Sequence, residues 1–435
     1  LPEFERGIDA GSWRRFSKEM RYSRTVIETI VAAPASRSKA RYFYGSDGYT
    51  AAAVNALVTY GAGAGPMPAH ANAELVAAFV DEFWSECDAD GRLDFGGLIA
   101  LAFLECIVAG ESFVLFVQRE EGLRLRLIPA EQVDESLTRD LGGGAHITAG
   151  IEFNAQGERV GYWIRPFAPN QQFETWAPPV RVDAADVLHL MRPVGVGQVR
   201  GISWLAPIML KLADLGLLSD SLLKGFQVAA LHAGFIEDSL GTSGLPFDGQ
   251  STDNPGELEV SLEPGTVRRL GPGQKITFNN PQAAQQSIEF QTSQIEAISA
   301  GLSVPAFMTS GCVSRANYSS LRAALITFKA HLEAIQFNVL VPQLLNPIWR
   351  RFVLTESLRN GRATTDADMR CEWRFPAMPE ADPIKQVQAT VAQLNARLMS
   401  RREAVAARGE SIERVDADIA ADPFTTDPEE SDDEA

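Results

Sequence analysis

Residues 284–353 constrain the chain more than any other stretch. Ile288, Ile295, Ile298 and Leu302 recur at helical spacing, with Glu289, Gln294 and Glu296 between them. Pro305 cannot continue a helix and disfavours helical backbone at Val304. Residues 310–317 are small and mostly polar, which reads as a loop. From Ser319 a single apolar stripe of Leu321, Leu325, Phe328, Leu332, Ile335, Val339 and Leu340 predicts a long second helix. Pro342 and Pro347 are expected to interrupt or kink its end, with Trp349 and Phe352 beyond them.

Upstream lies a second strong signal. Residues 203–233 carry only Lys211, Asp214, Asp220 and Lys224 as charges, and read as one helix with Ser203 as N-cap and Pro207 in its first turn. A helix so apolar must be covered on most sides, by its own chain or by copies of it. Between the two helical regions, residues 234–283 change character. GFIEDSL is strand-like, a Gly-, Ser-, Asp- and Pro-rich loop follows, and two or three strands surround the turns at Pro264-Gly265 and Pro272-Gly273.

The first 200 residues mix both kinds of pattern. Residues 1–41 are polar and net basic, which reads as an arm for DNA or for a neighbouring subunit. A short helix at 50–60 ends in the turn GAGAGP. Residues 73–87 are amphipathic, with Leu75, Phe79, Phe83 and Trp84 on one face, and 95–111 form an apolar helix. SFVLFVQRE with GLRLRLIPAEQV predicts one hairpin, residues 148–167 a second with Gln156-Gly157 at its turn, and 186–193 a further strand. Near the C-terminus, Pro383 opens a helix, and Ser400 with Glu403 forms a capping box before another. The end, DPFTTDPEESDDEA, is acidic.

Several function classes lose support. The net charge is −17, from 39 basic and 56 acidic residues, which argues against a tight, sequence-specific DNA binder. Cys87, Cys106, Cys312 and Cys371 have no metal-ligand or redox spacing, which points to reduced thiols in a cytoplasmic setting. No apolar run reaches the ~18 residues of a membrane helix. The P-loop, G-x-S-x-G and H-E-x-x-H patterns do not occur. We therefore expect no catalysis, no cofactor and no metal. Asp186 and His189 invite an acid/base reading, and a hydrolase using them stands as the rival.

The words themselves carry more. AISAGLSVP, NYSSLRAAL and NVLVPQLLNPIW, then DVLHLMRP, QVRGISWLAP and SLEPGTVRRLGPGQKITFNNP, follow one another in an order that resembles the lambda-type family of tailed-bacteriophage portal proteins. The resemblance implies an α+β portal fold with α/β wing, helical stem, β-rich clip and helical crown, assembled as a ring, usually a dodecamer, at one capsid vertex. On that basis the divisions are 1–41 arm, 42–202 wing, 203–233 stem helix, 234–283 clip, 284–304 second stem helix, 305–318 tunnel loop, 319–382 tunnel-backing helix and return, 383–422 crown and 423–435 acidic tail. It implies a channel for packaging and ejecting double-stranded DNA, with Ser314, Arg315 and Asn317 facing the duplex. It also implies docking at the clip through Arg268, Arg269 and Lys275. The implied partners are further copies of the chain, the terminase large subunit, which supplies the ATPase, a head–tail adaptor and the major capsid protein, with assembly in the bacterial cytoplasm. Another ring-forming head or tail protein remains a second alternative.

Overall fold

The computed structural model describes residues 26–166, 178–230, 234–238, 274–278, 284–314, 317–378, 383–410 and 412–422. The chain divides into two compact units, one of residues 1–209 with 299–435, the other of 210–298.

The larger unit opens with helix α1 (Val26–Ser46), which runs across the expected arm boundary at 41/42, so part of the basic arm is structured. Helix α2 (Gly48–Gly61) follows, capped by Asp47, whose side chain accepts from Thr50 N. After strand β1 (Met67–Ala69) comes a helical stretch of α3 (Ala73–Ala77), a π-helical turn (Ala78–Phe83) and α4 (Trp84–Glu86). The apolar helix α5 (Phe95–Ala109) is capped by Asp94 and ends at Gly110, in the left-handed region at φ 98°. Strands β2 (Glu111–Arg119) and β3 (Gly122–Ile128) form the first expected hairpin.

A five-stranded antiparallel meander comes next: β4 (Arg139–Gly142), β5 (Ala145–Thr148), β6 (Ile151–Phe153), β7 (Arg159–Ile164) and β8 (Val180–Asp183). Its β6–β7 turn is the second expected hairpin, with Gly157 at φ 81°. Strand β9 (Val187–Met191) then returns to β2, giving a three-stranded sheet in the order β3-β2-β9. Phe113, Ile128, Val133, Ile151, Tyr162 and Ile164 form a core that joins the two sheets. Strand β2 is thus central, and it begins at Glu111.

The helix expected from Ser203 starts later. Residues 204–208 make turns, Ser203 Oγ accepts from Leu205 N at 3.2 Å, and α6 runs over Met209–Ala230. Pro207 falls in the turn instead of a first helical turn. At 1.5 Å per residue α6 spans roughly 33 Å. In the smaller unit, β10 (Gly234–Asp238) pairs antiparallel with β11 (Gln274–Phe278), and α7 (Ala284–Leu302) follows. Gln291 Nε2 donates to Ser219 Oγ at 2.9 Å, linking α7 to α6. The turns at 264–265 and 272–273 lie outside the described residues.

Pro305 breaks the chain as expected. It leads into a short helix, α8 (Ala306–Ser310), before α9 (Tyr318–Ile335). The two later prolines do not end the helix. A ten-residue π-helical segment (Gln336–Leu345) contains Pro342 and continues into α10 (Asn346–Asn360), with Pro347 in its first turn. Proline in an α-helix lacks the N–H and strikes the carbonyl four residues back; a wider turn removes that carbonyl from its path. Two side-chain amides hold the segment: Gln336 Nε2 donates to Gly61 O, and Gln343 Oε1 accepts from Met191 N, both at 2.9 Å.

Aromatic residues far apart in sequence meet around Phe79. Its ring centroid lies 5.0 Å from those of Phe83 and Phe352, 5.1 Å from Phe95 and 5.5 Å from Trp349. Trp349 and Phe352 are therefore core residues that pin α10 to the α3–α5 region. Strand β12 (Glu372–Arg374) pairs with β1, and the helices α11 (Pro383–Asn395), α12 (Arg401–Ala406) and α13 (Ile412–Ala421) close the chain. The capping box of Ser400 and Glu403 is formed as read.

Candidate channel loop and a buried charge cluster

The loop between α8 and α9 is built by local rules. Gly311, at φ 68°, ends α8 by donating from its backbone to Phe307 O. Cys312 N donates to Ser310 Oγ at 3.2 Å, and Cys312 Sγ lies 3.0 Å from Ser314 Oγ. Residues 311–314 and Asn317 are exposed, and residues 315–316, including Arg315, lie outside the described set. Asn317 is the N-cap of α9: its Oδ1 accepts from Ser320 N at 2.8 Å, while Ser320 Oγ accepts from Asn317 N at 3.0 Å. Asn317 thus has a folding role that the sequence reading did not give it, with its side-chain N–H₂ left for another partner.

The basic residues expected at the docking end are placed in part. Lys275 sits on β11 in register with Glu237 of β10, while Arg268 and Arg269 lie outside the described residues.

The acid/base pair proposed from sequence does not form. Asp186 ends a 3-10 turn (Ala184–Asp186), whereas His189 lies in the middle of β9, and the two side chains engage different partners. Asp186 pairs with Arg351. His189 instead joins a buried cluster centred on Glu111, which sequence reasoning missed.

Glu111 is wholly buried and accepts four hydrogen bonds. Oε1 takes Arg200 Nε at 2.8 Å and Arg37 Nη2 at 3.2 Å; Oε2 takes Gly201 N at 2.7 Å and His189 Nε2 at 2.9 Å. Four is the full capacity of a carboxylate. Arg200, 1% exposed, spends all five of its N–H groups. Besides Glu111 it reaches Val133 O, Ala149 O, Ala130 O and Glu135 Oε1, at 3.3, 2.8, 3.0 and 3.2 Å. Arg37 from α1 adds Glu135 Oε1 at 2.6 Å. Two guanidinium groups and two carboxylates therefore balance.

The titration of the cluster follows from these contacts. Burial alone would raise the Glu111 carboxyl, but the Arg200 charge and the His189 and Arg200 hydrogen bonds outweigh it and hold it far below the carboxylate range. Burial lowers His189, and its hydrogen bond to Glu111 only partly opposes that. His189 Nδ1 faces Arg159 Nη1 at 3.3 Å, so Nδ1 accepts, Nε2 carries the proton and the ring is neutral. Chemically this is a fully satisfied structural network, with no atom left for a substrate.

The network accounts for a sequence signature. Arg200 and Gly201, of the stretch QVRGISW, both grip Glu111. A Cβ on Gly201 would stand 2.2 Å from Gly110 O, and one on Gly110 2.3 Å from Ile202 C. The two backbones touch here, which only glycine permits.

Among the described residues no group of His, Cys, Asp and Glu is arranged to hold a metal, and no helix is long and apolar enough to cross a membrane. Burial raises the thiols of Cys87 and Cys106 to about 12, as befits core fillers.

A sequence profile of the family described as "Phage portal protein, lambda family" matches residues 13–336. The chain belongs to that family. Portal protein B of Escherichia phage lambda is 25% identical over 383 residues, covering 79% of this chain and 71% of the relative. The portal protein of Escherichia phage N15 is 23% identical over 310 residues, covering 63% of this chain and 58% of the relative. The structure also resembles a chain from the neck of an empty gene transfer agent particle, at a TM-score of 0.50 and 14% identity. That likeness covers 88% of this chain and 94% of the other. The portal chain described above thus has the mixed α+β portal fold, and its family is one of structural proteins.

Proposed function

We propose that this portal protein assembles as a closed ring of identical subunits, of the dodecameric kind, at one vertex of a capsid. Double-stranded DNA enters and leaves through its centre. The observation that carries the reading is the order helix, β hairpin, helix, exposed loop, long helix over residues 209–360, inside a chain of the portal family. In this reading α6 and α7 are stem helices, the β10–β11 hairpin is the base of a clip, and the loop at 311–317 lines the channel. Residues 42–202 form the wing and α11–α13 the crown. Leu217 and Leu223 on α6 are 68% and 58% exposed, apolar area that neighbouring subunits would cover.

With a net charge of −17 the ring guides DNA with few phosphate contacts, Ser314, Arg315 and Asn317 supplying them. Arg268, Arg269 and Lys275 are the docking positions for the terminase large subunit and then a head–tail adaptor, while the wing meets the major capsid protein. Energy for DNA movement comes from the terminase. The particle is built in the bacterial cytoplasm and the portal remains in the virion. The rival hydrolase loses its geometric support, because Asp186 and His189 are each engaged elsewhere.

Two measurements test this. Negative-stain class averages should show rings with an open centre wide enough for a duplex. Binding of short duplex DNA should be weak and fall steeply with salt. Compact monomers at working concentration, or tight duplex binding at physiological salt, would overturn it.

A further inference from the structure

Helix α9 is apolar on two opposite faces. Phe328, Leu332 and Ile335 are 2–4% exposed and pack inward. On the other side Ala323, Ile326, Ala330 and Ala334 form a second stripe open to solvent, with Ile326 62% exposed; Glu333 is exposed on the same side, and Phe337, 54% exposed, packs edge-on against Phe375 at the stripe's end. A helix with two apolar faces needs two partners. Arg322 and Lys329 flank this outer stripe, both exposed and seven residues apart. Neither has an ion pair or hydrogen bond among the described residues.

Helix α7 carries the complement. Glu289, Ser293, Glu296 and Ala300 lie on its exposed face, opposite the buried Ile298. Glu289 and Glu296 are also seven residues apart, and also without a partner among the described residues. Seven residues are close to two turns, about 10.5 Å along either axis. Two cations and two carboxylates therefore repeat at one pitch on two different exposed helices, each pair beside apolar surface: Ile326 on α9 and Phe290, 54% exposed, on α7.

We propose that the outer face of α9 in one subunit docks on the exposed face of α7 in a second copy of the chain, with Arg322 and Lys329 against Glu289 and Glu296. The contact is heterologous, since two different surfaces meet, and a heterologous contact that closes generates a ring. The inference rests on the ring reading above and names the surfaces that would make it. The apolar stripe between the cations favours a protein partner over DNA, whose backbone offers no apolar counterpart.

The test uses two double variants of the full chain. Arg322→Glu/Lys329→Glu makes both surfaces acidic, and Glu289→Lys/Glu296→Lys makes both basic. Each alone should lose ring formation, with association at each contact weakened at least about tenfold. Their far-ultraviolet circular dichroism should match wild type, because all four side chains are exposed. Mixed in equal amounts, the two should co-assemble, since every acidic α9 then meets a basic α7 and the reverse. The chain carrying all four changes should form rings by itself. If wild type forms rings and both double variants do so equally well, the pairing is wrong while the ring reading stands. If wild type never forms an oligomer, the ring reading itself fails. If Arg322→Glu/Lys329→Glu keeps its rings but loses duplex binding, the face belongs to DNA and the proposal is overturned. Loss of rings with no rescue, either by mixing or by the fourfold exchange, also overturns it.

Discussion

Replacing Glu111 with alanine should be among the most destabilising single changes available to the larger unit. The carboxylate receives Arg37, Arg200, His189 and Gly201 at 2.7–3.2 Å and has no exposed surface. Its removal leaves two buried guanidinium groups sharing Glu135, and strips the His189 and Gly201 donors of their acceptor. Breaking a buried ion pair from one side costs about 3–5 kcal/mol. A control is at hand in Glu86, which pairs with Arg124 at 2.7 Å but is 64% exposed. Glu86→Ala should cost about 0–1 kcal/mol, because solvent screens that pair. Urea unfolding followed by tryptophan fluorescence, with both variants and wild type at one protein concentration, measures the difference. If Glu111→Ala loses no more than Glu86→Ala, the cluster does not hold the unit together and the reasoning fails.

Three further outcomes follow from the same structure. His189 and Glu111 both have depressed values in the folded chain, so each contributes stability that is complete above its unfolded value and is lost as pH falls through the folded one. Stability should therefore decline on acidification below about pH 6.5 for His189, steepening below about 4.5 as carboxylates protonate; a flat urea midpoint from pH 7 to 4 would contradict this. Gly201→Ala should cost roughly 2 kcal/mol or more, since its methyl would stand 2.2 Å from Gly110 O, and a wild-type midpoint would show that the close approach is not needed. Asn317→Ala should remove about 1 kcal/mol from the start of α9, read as faster amide exchange at residues 318–322 with the core unchanged.

The sequence was most legible where one segment obeys one rule. The hairpin at 111–128, the break at Pro305 and the capping box at Ser400 follow from alternation, a missing donor and a reciprocal cap, and all three are present. It was less legible where distant parts decide. Ser203 looked like a helix cap, but the backbone around it is held against Gly110, and α6 starts only at Met209. Pro342 reads as an interruption or kink, and the α form does give way there, but to a π segment held by Gln336 and Gln343 that carries the helix on into α10. The Glu111 cluster was invisible for a similar reason. Glu111 opens an apolar strand, Arg37 belonged to what read as a loose basic arm, and nothing local says that they meet. The one usable signal was Arg200-Gly201, whose glycine is hard to explain as a simple turn beside an apolar stretch.

The wide separation of the cluster's members has a consequence for biogenesis. Arg37 and Arg200 are about 160 residues apart, and a ribosome adding 5–20 residues per second takes roughly 8–30 s to cover that distance. During that interval α1 has emerged, but the arginine that completes the Glu111 shell does not yet exist. A nascent chain that buried Arg37 and Glu111 early would have to do so with one of the carboxylate's four hydrogen bonds, because His189, Arg200 and Gly201 all come late. The docking of α1 on Glu111 can therefore be completed only after residues 189–201 have been made.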